Sequence, residues 1–206
     1  NDLLTVNAGN HLDEEEGAIE NSGLIESTSA ELRAAAGNIY ALAINNEGTV
    51  RATNVDKSGG RIRLVADQGT TLSSGTLDAS SSQSDSSLQS PSSTLSAKAG
   101  GSVHALGDRV AITGDIDASG PSAGGEILVG GDFQGKRLKA SKMSQLTYIG
   151  PDSELSADAT VDGDGGEVIV WSDDKTQFEG TISARGMGQG DGGFAEVSGK
   201  KALSFQ

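Results

Sequence analysis

Five aspartates stand near glycine-rich corners. Asp162, Asp164 and Asp191 sit in GDGG-like turns, and Asp173 and Asp174 follow a short strand. Carboxylate and backbone oxygens at such corners can chelate Ca²⁺. The G-G-x-G-x-D-x-U-x nonapeptide that binds Ca²⁺ in repeat proteins is absent, however. The plainer role is structural: Asp caps a tight turn and Gly supplies positive φ. Asp173, Asp174, Lys175 and Arg185 are also the best available set for carbohydrate cleavage. That chemistry needs two carboxylates roughly 5–10 Å apart, one with a raised pKa. Here the acids fall at solvated corners with few aromatics to stack a sugar, so no catalytic residue is assigned. His11 and His104 are the only histidines, and neither has a Ser or carboxylate at a recognised motif spacing. His104 is expected to point outward between Val103 and Ala105. The one local cluster of positive charge is Lys136, Arg137, Lys139 and Lys142, a candidate contact loop for an anionic glycan or a neighbouring acidic rod.

The elements that carry these residues are constrained by composition. The chain has 206 residues, with 15 Lys and Arg against 29 Asp and Glu, a net charge of −14. That balance argues against binding nucleic acid or an anionic membrane, since both need clustered cations. With no cysteine, there are no disulfides, thiol nucleophiles or thiolate metal sites, and no metal or other cofactor is expected. No apolar run approaches the ~18 residues that span a bilayer as a helix. There are 30 glycines and only seven aromatics, one Trp, two Tyr and four Phe. A compact globular core leans on aromatics, so this chain must bury small aliphatic side chains instead.

Two motifs repeat. The first is a turn followed by an aliphatic, an outward and a small residue: NSGLIEST (21–28), NEGTVRAT (46–53), SSGTLDAS (73–80), TGDIDAS (113–119), DSELSADA (152–159) and EGTISAR (179–185). Its aliphatic positions are Ile25, Val50, Leu77, Ile116, Leu155 and Ile182. The second reads AGNIYAL (36–42), GGRIRLV (59–65), GGSVHAL (100–106), GGEILVG (124–130), GGEVIVW (165–171) and GGFAEVS (192–198). Its inward pairs are expected at Ile39/Ala41, Ile62/Leu64, Val103/Ala105, Ile127/Val129, Val168/Val170 and Ala195/Val197. Alternation over short runs bounded by Gly is a strand signal. A capping-box spacing of Thr28 and Glu31 allows a helix over 28–36, but Leu32, Ala34 and Ala36 alternate as a strand does.

The turn markers step by 25 (Gly23 to Gly48), 27 (Gly75), 39 (Gly114), 39 (Ser153) and 27 (Gly180). The core period is therefore about 25 residues, with two short strands per coil. The long steps hold two insertions, a serine-rich one at about 80–98 and the basic one at about 131–148. A unit this small cannot bury its own apolar face, so coils must stack on one another. The fold class is all-β: a parallel β-solenoid of about seven coils, residues 1–206 forming a single solenoid segment of a longer chain.

The stretch TYIGPDSELSADATVDGDGGEVIVWSDDKTQFEGTISARGMGQGDGGFAEVSGK (147–200), with GGRIRLVADQG, GDIDASG and GGEILVGGDFQGKRL before it, resembles filamentous-haemagglutinin-like large exoproteins. These are the secreted partners of bacterial two-partner secretion, and the resemblance covers about residues 20–200. It implies a right-handed parallel β-helix, export by a dedicated outer-membrane β-barrel transporter, an extracellular or cell-surface location, and adhesion to glycans or proteins on host or neighbouring cells. The N-P-N-G-type motif of the family's secretion domain has no match; NNEG at 45–48 is nearest. The expected function is a non-enzymatic stiff spacer that displays binding loops. The alternatives are a carbohydrate-active β-helix enzyme and a self-assembling fibre or sheath subunit that associates through the solenoid ends.

Overall fold

The computed structural model describes residues 3–8, 19–34, 42–53, 59–82, 98–135 and 143–206. Its twenty strands form three sheets, one strand of each sheet per complete coil, and every strand pairing is parallel. The winding is that of a right-handed β-helix. Sheet A contains β1 (Leu3–Ala8), β4 (Ser29–Ala34), β7 (Arg61–Ala66), β10 (Ser102–Leu106), β13 (Glu126–Val129), β16 (Glu167–Ser172) and β19 (Phe194–Gly199). Sheet B contains β2 (Ile19–Asn21), β5 (Leu42–Asn46), β8 (Thr70–Ser73), β11 (Arg109–Ile112), β14 (Leu146–Ile149), β17 (Lys175–Phe178) and β20 (Ala202–Phe205). Sheet C contains β3 (Leu24–Ser27), β6 (Thr49–Ala52), β9 (Thr76–Asp78), β12 (Ile116–Asp117), β15 (Glu154–Ser156) and β18 (Thr181–Ser183).

The first motif is sheet C. Ile25, Val50, Leu77, Ile116, Leu155 and Ile182 stand in one register row. The middle four are fully buried, whereas Ile25 and Ile182, in the first and last strands of the sheet, are only half-buried. The second motif is sheet A from β7 onward. Ile62, Val103, Ile127, Val168 and Ala195 form one inward row, and Leu64, Ala105, Val129, Val170 and Val197 the next. The copy at 36–42 does not belong to these rows. Ala30 and Leu32 of β4 pair with Ile62 and Leu64 instead, while Ile39 and Ala41 lie outside the described residues. The alternating burial of SAELRA makes β4 a strand, not the start of a helix.

A coil has three strands, not two. Sheet B escaped detection because half of its inward positions are polar. Thr71, Thr147 and Thr176 stand in one row with Val110, all facing inward. Their hydroxyls donate to backbone carbonyls of the next coil: Thr71 Oγ1 to Leu106 O at 2.8 Å, Thr147 Oγ1 to Trp171 O at 2.7 Å, and Thr176 Oγ1 to Ser198 O at 2.7 Å. The hydroxyls supply donors to carbonyls where the chain turns from sheet A to sheet B, at a corner where backbone polar groups withdrawn from water need partners. The neighbouring row begins Asn21–Asn46–Ser73, linked by side-chain hydrogen bonds of 2.7 and 3.0 Å. It ends in Ile112, Ile149, Phe178 and Phe205, the last two stacked with ring centroids 5.1 Å apart.

Pairs of glycines mark the corner from sheet C to sheet A because no Cβ fits there. A Cβ on Gly101 would lie 2.2 Å from Gly60 O, and one on Gly125 would lie 2.0 Å from Gly101 O. The same contact recurs at Gly166 and Gly193. The two insertions leave different corners. The serine-rich one departs after β9, and its base is closed by Ser81 Oγ donating to Ala99 O at 2.8 Å; residues 83–97 lie outside the described residues. The second separates β13 from β14. Because β14 begins at Leu146, the insertion spans 130–145, where the coil before it has only Gly107 and Asp108.

Candidate functional site

The five aspartates do not converge. Asp162, Asp164 and Asp191 share the corner from sheet C to sheet A. Asp162 Oδ1 accepts from the backbone N–H of Gln189 at 2.8 Å, and Asp164 Oδ1 from that of Asp191 at 2.7 Å. Each carboxylate thus holds the turn of the coil that follows. Asp158 does the same for Arg185 N at 2.6 Å and Ser183 Oγ at 2.7 Å, a cap that was legible in sequence only as the acid of SADA. Asp173 and Asp174 belong to the other corner, between β16 and β17. Their nearest cations are Lys200 at 3.8 Å and Lys201 at 3.5 Å, in the next coil. Among the described residues no three His, Asp or Glu side chains are grouped so as to hold a metal ion. Lys136, Arg137, Lys139 and Lys142, like His11, lie outside the described residues.

What the structure does assemble is the outer face of sheet A. Two outward rows run along it. One reads Arg61, Ser102, Glu126, Glu167 and Phe194; the other reads Glu31, Arg63, His104, Leu128, Ile169 and Glu196. The N-terminal half of the face is polar. Arg33 Nε donates to Glu31 Oε1 at 2.8 Å and its NH1 reaches Asp67 Oδ1 at 3.0 Å, and the Glu31 bond above all raises the guanidinium pKa. Arg63 lies 3.9 Å from Glu31. His104 does point outward, and its Nε2 lies 2.6 Å from Glu126 Oε1, a contact between neighbouring strands that sequence spacing does not reveal. A groove of about 480 Å³ runs beside this half, along the glycine corner from Thr28 to Glu126.

The C-terminal half of the face is apolar and covered. Leu128, Ile169 and Trp171 are buried although they point away from the solenoid interior, and Phe133 and Met143 of the second insertion pack on them. Phe133 also meets Phe194 edge-to-face, with ring centroids 5.6 Å apart. The root of the insertion is shaped for this contact. Gly130, Gln134 and Gly135 all take positive φ, and a Cβ on Gly131 would strike the indole of Trp171. The signal was present in sequence: GGEILVG and GGEVIVW carry unbroken apolar runs, which indicate a strand buried on both faces. Trp171 and Phe178 therefore do different work. Phe178 fills the solenoid interior, while Trp171 anchors the insertion outside it.

No protein-family model and no curated protein sequence matches the chain. Among solved structures it is similar to the HMW1 secretion domain from Haemophilus influenzae, with a TM-score of 0.52 and 20% sequence identity. The match covers 99% of this chain and 64% of that one, so the chain spans somewhat under two thirds of the neighbour's length. At that identity the likeness is one of fold: a β-helix built as that secretion domain is built.

Proposed function

We propose that the chain is a non-enzymatic β-helical segment of an exoprotein of the two-partner secretion type, acting as a stiff spacer that displays loops for attachment outside the cell. The observation that carries this reading is the parallel stack of three sheets, in the fold of a known secretion domain, with its two longest insertions leaving the stack between strands. Stacked coils supply length and stiffness, and inserted loops supply contact surface. The commitment of the corner aspartates to backbone N–H groups supports a structural role over a catalytic one. A chain without cysteine and with a narrow aliphatic core suits passage through a pore as an extended polypeptide, folding afterwards coil on coil.

Export tests the reading. The chain, fused behind a two-partner secretion domain, is produced in a Gram-negative host with or without that domain's transporter. The expected result is folded protein in the medium only when the transporter is present. Release that is independent of the transporter overturns the export route. Retention on a panel of cell-surface glycans that falls with added salt, and falls again when Lys136, Arg137, Lys139 and Lys142 are changed to Ala, supports the attachment role.

A further inference from the structure

We propose that the groove beside the N-terminal half of sheet A binds a linear acidic oligosaccharide in which a uronate alternates with a neutral sugar. The groove's volume of about 480 Å³ falls in the range of small-ligand sites. Its floor is backbone: the paired glycines lie against the backbone of the neighbouring coil, where no Cβ fits. The glycines alone do not make the site: the stack continues through Gly166 and Gly193, yet the groove ends at Glu126.

Three side chains distinguish this stretch. Arg61, Ser102 and Glu126 occupy one register row on β7, β10 and β13. With about 4.8 Å between neighbouring strands, they present a cation, a hydroxyl and an anion over roughly 10 Å. Arg33, Arg51 and Arg63 each lean on a carboxylate, whereas exposed Arg61 makes no ion pair or side-chain hydrogen bond among the described residues. In a chain of net charge −14, a cation left unpaired at the edge of a concavity is matched to an anion from outside. The guanidinium fork pairs bidentately with a carboxylate. Ser102 both donates and accepts. Glu126, fixed by His104 at 2.6 Å, offers an acceptor to a sugar hydroxyl. The lining contains no large apolar side chain, so a peptide's side chains would gain little burial there. A saccharide with a carboxylate at one end of the row and hydroxyls at the other satisfies all three groups.

The test is a titration of the purified chain with a hyaluronan tetrasaccharide, in which glucuronate alternates with a neutral sugar, followed by amide chemical shifts and calorimetry. Saturable binding with a Kd of about 1 mM or tighter is expected, with shifts centred on residues 60–61, 101–102 and 125–126. Arg61→Gln should weaken it at least about tenfold, the loss of one charge-assisted pair. Ser102→Ala should weaken it less, and the carboxyl-reduced tetrasaccharide should not bind. Arg61 is exposed, so thermal unfolding of the variant should match that of the wild type; Ser102→Ala gives an independent reading if it does not. No saturable binding, equal binding of the carboxyl-reduced sugar, or full affinity in both variants overturns the proposal. The inference does not rest on the export reading: a chain that is exported by its transporter yet binds no acidic sugar loses this inference alone.

Discussion

The two halves of sheet A share one backbone repeat and one kind of interior, yet their outer faces are opposite. Along β4, β7 and β10 the outer row is Glu31, Arg63 and His104. These half-buried polar side chains are held by the ion pairs of Glu31 with Arg33 and Arg63 and by the His104–Glu126 contact, with the groove running beside them. Along β13 and β16 the same row is Leu128 and Ile169, sealed under the second insertion. Stacking constrains the inside, where each residue touches its counterparts in the coils before and after. Nothing in the stacking constrains the outside, so outer rows are free to become a binding surface in one place and an anchor for an appended loop in another.

The sharpest break in this comparison is a charge placed inside. Leu155 is fully buried between Ile116 and Ile182. Leu155→Asp should cost several kcal/mol, because an unpaired charge is stranded in an apolar row. The expected outcome is loss of cooperative unfolding by circular dichroism, or no folded protein. Ile182→Asp should cost clearly less, since Ile182 lies in the last strand of its sheet and is only half-buried. Equal effects would mean that the end coil is as closed as the middle.

Next in size is the anchor. Trp171→Ala removes the centre of the outer cluster against which Phe133 and Met143 pack. Full burial of a Trp is worth about 3–5 kcal/mol; a satellite cluster open on one side should lose about 2 kcal/mol. Hydrogen exchange should rise in residues 130–135 and 143–145 while the inward rows of sheet A remain protected. Exchange rising equally along β13 and β16 would show that the two sides of the sheet do not act separately.

Sheet C and most of sheet A could be read from sequence to the residue, because Gly-bounded alternation of aliphatics has one inward solution per strand. Sheet B could not, because Thr71, Thr147 and Thr176 face inward for the sake of backbone carbonyls in the next coil, and a threonine in a short strand reads as solvent-facing. The first copy of the second motif failed for a related reason. AGNIYAL has the right letters, but SAELRA seven residues earlier holds the register. The acidic corners were legible as turn caps and the outward direction of His104 was correct. Its partner Glu126 was invisible, since it lies on the next coil and only the register brings the two together. The groove was equally hidden, because a concavity floored by closely packed backbone leaves no motif beyond Gly-Gly.

The smallest expected effect concerns a half-buried pair on the outer face of sheet C, where outer-face chemistry should barely touch stability. Asp78 lies between Arg51 of the preceding coil, at 2.9 Å, and Ser80, whose hydroxyl donates to it at 2.6 Å. Burial alone would push its carboxyl up, but the Ser80 and Arg51 hydrogen bonds outweigh burial and hold the pKa below the ordinary carboxylate value. A depressed folded pKa means that the unfolded chain takes up the proton first as pH falls. The contribution is therefore present above the unfolded value of about 3.9 and is lost as pH drops through the lower folded value. Asp78→Asn should lower the melting temperature slightly at pH 6 and by progressively less toward pH 3. The contrast with Leu155→Asp is then one of kind. The interior variant fails at every pH, while the surface variant converges on the wild type in acid. A deficit of Asp78→Asn that stays constant from pH 6 to pH 3 would mean that the side chain's shape, not its charge, holds Arg51 and Ser80 in place.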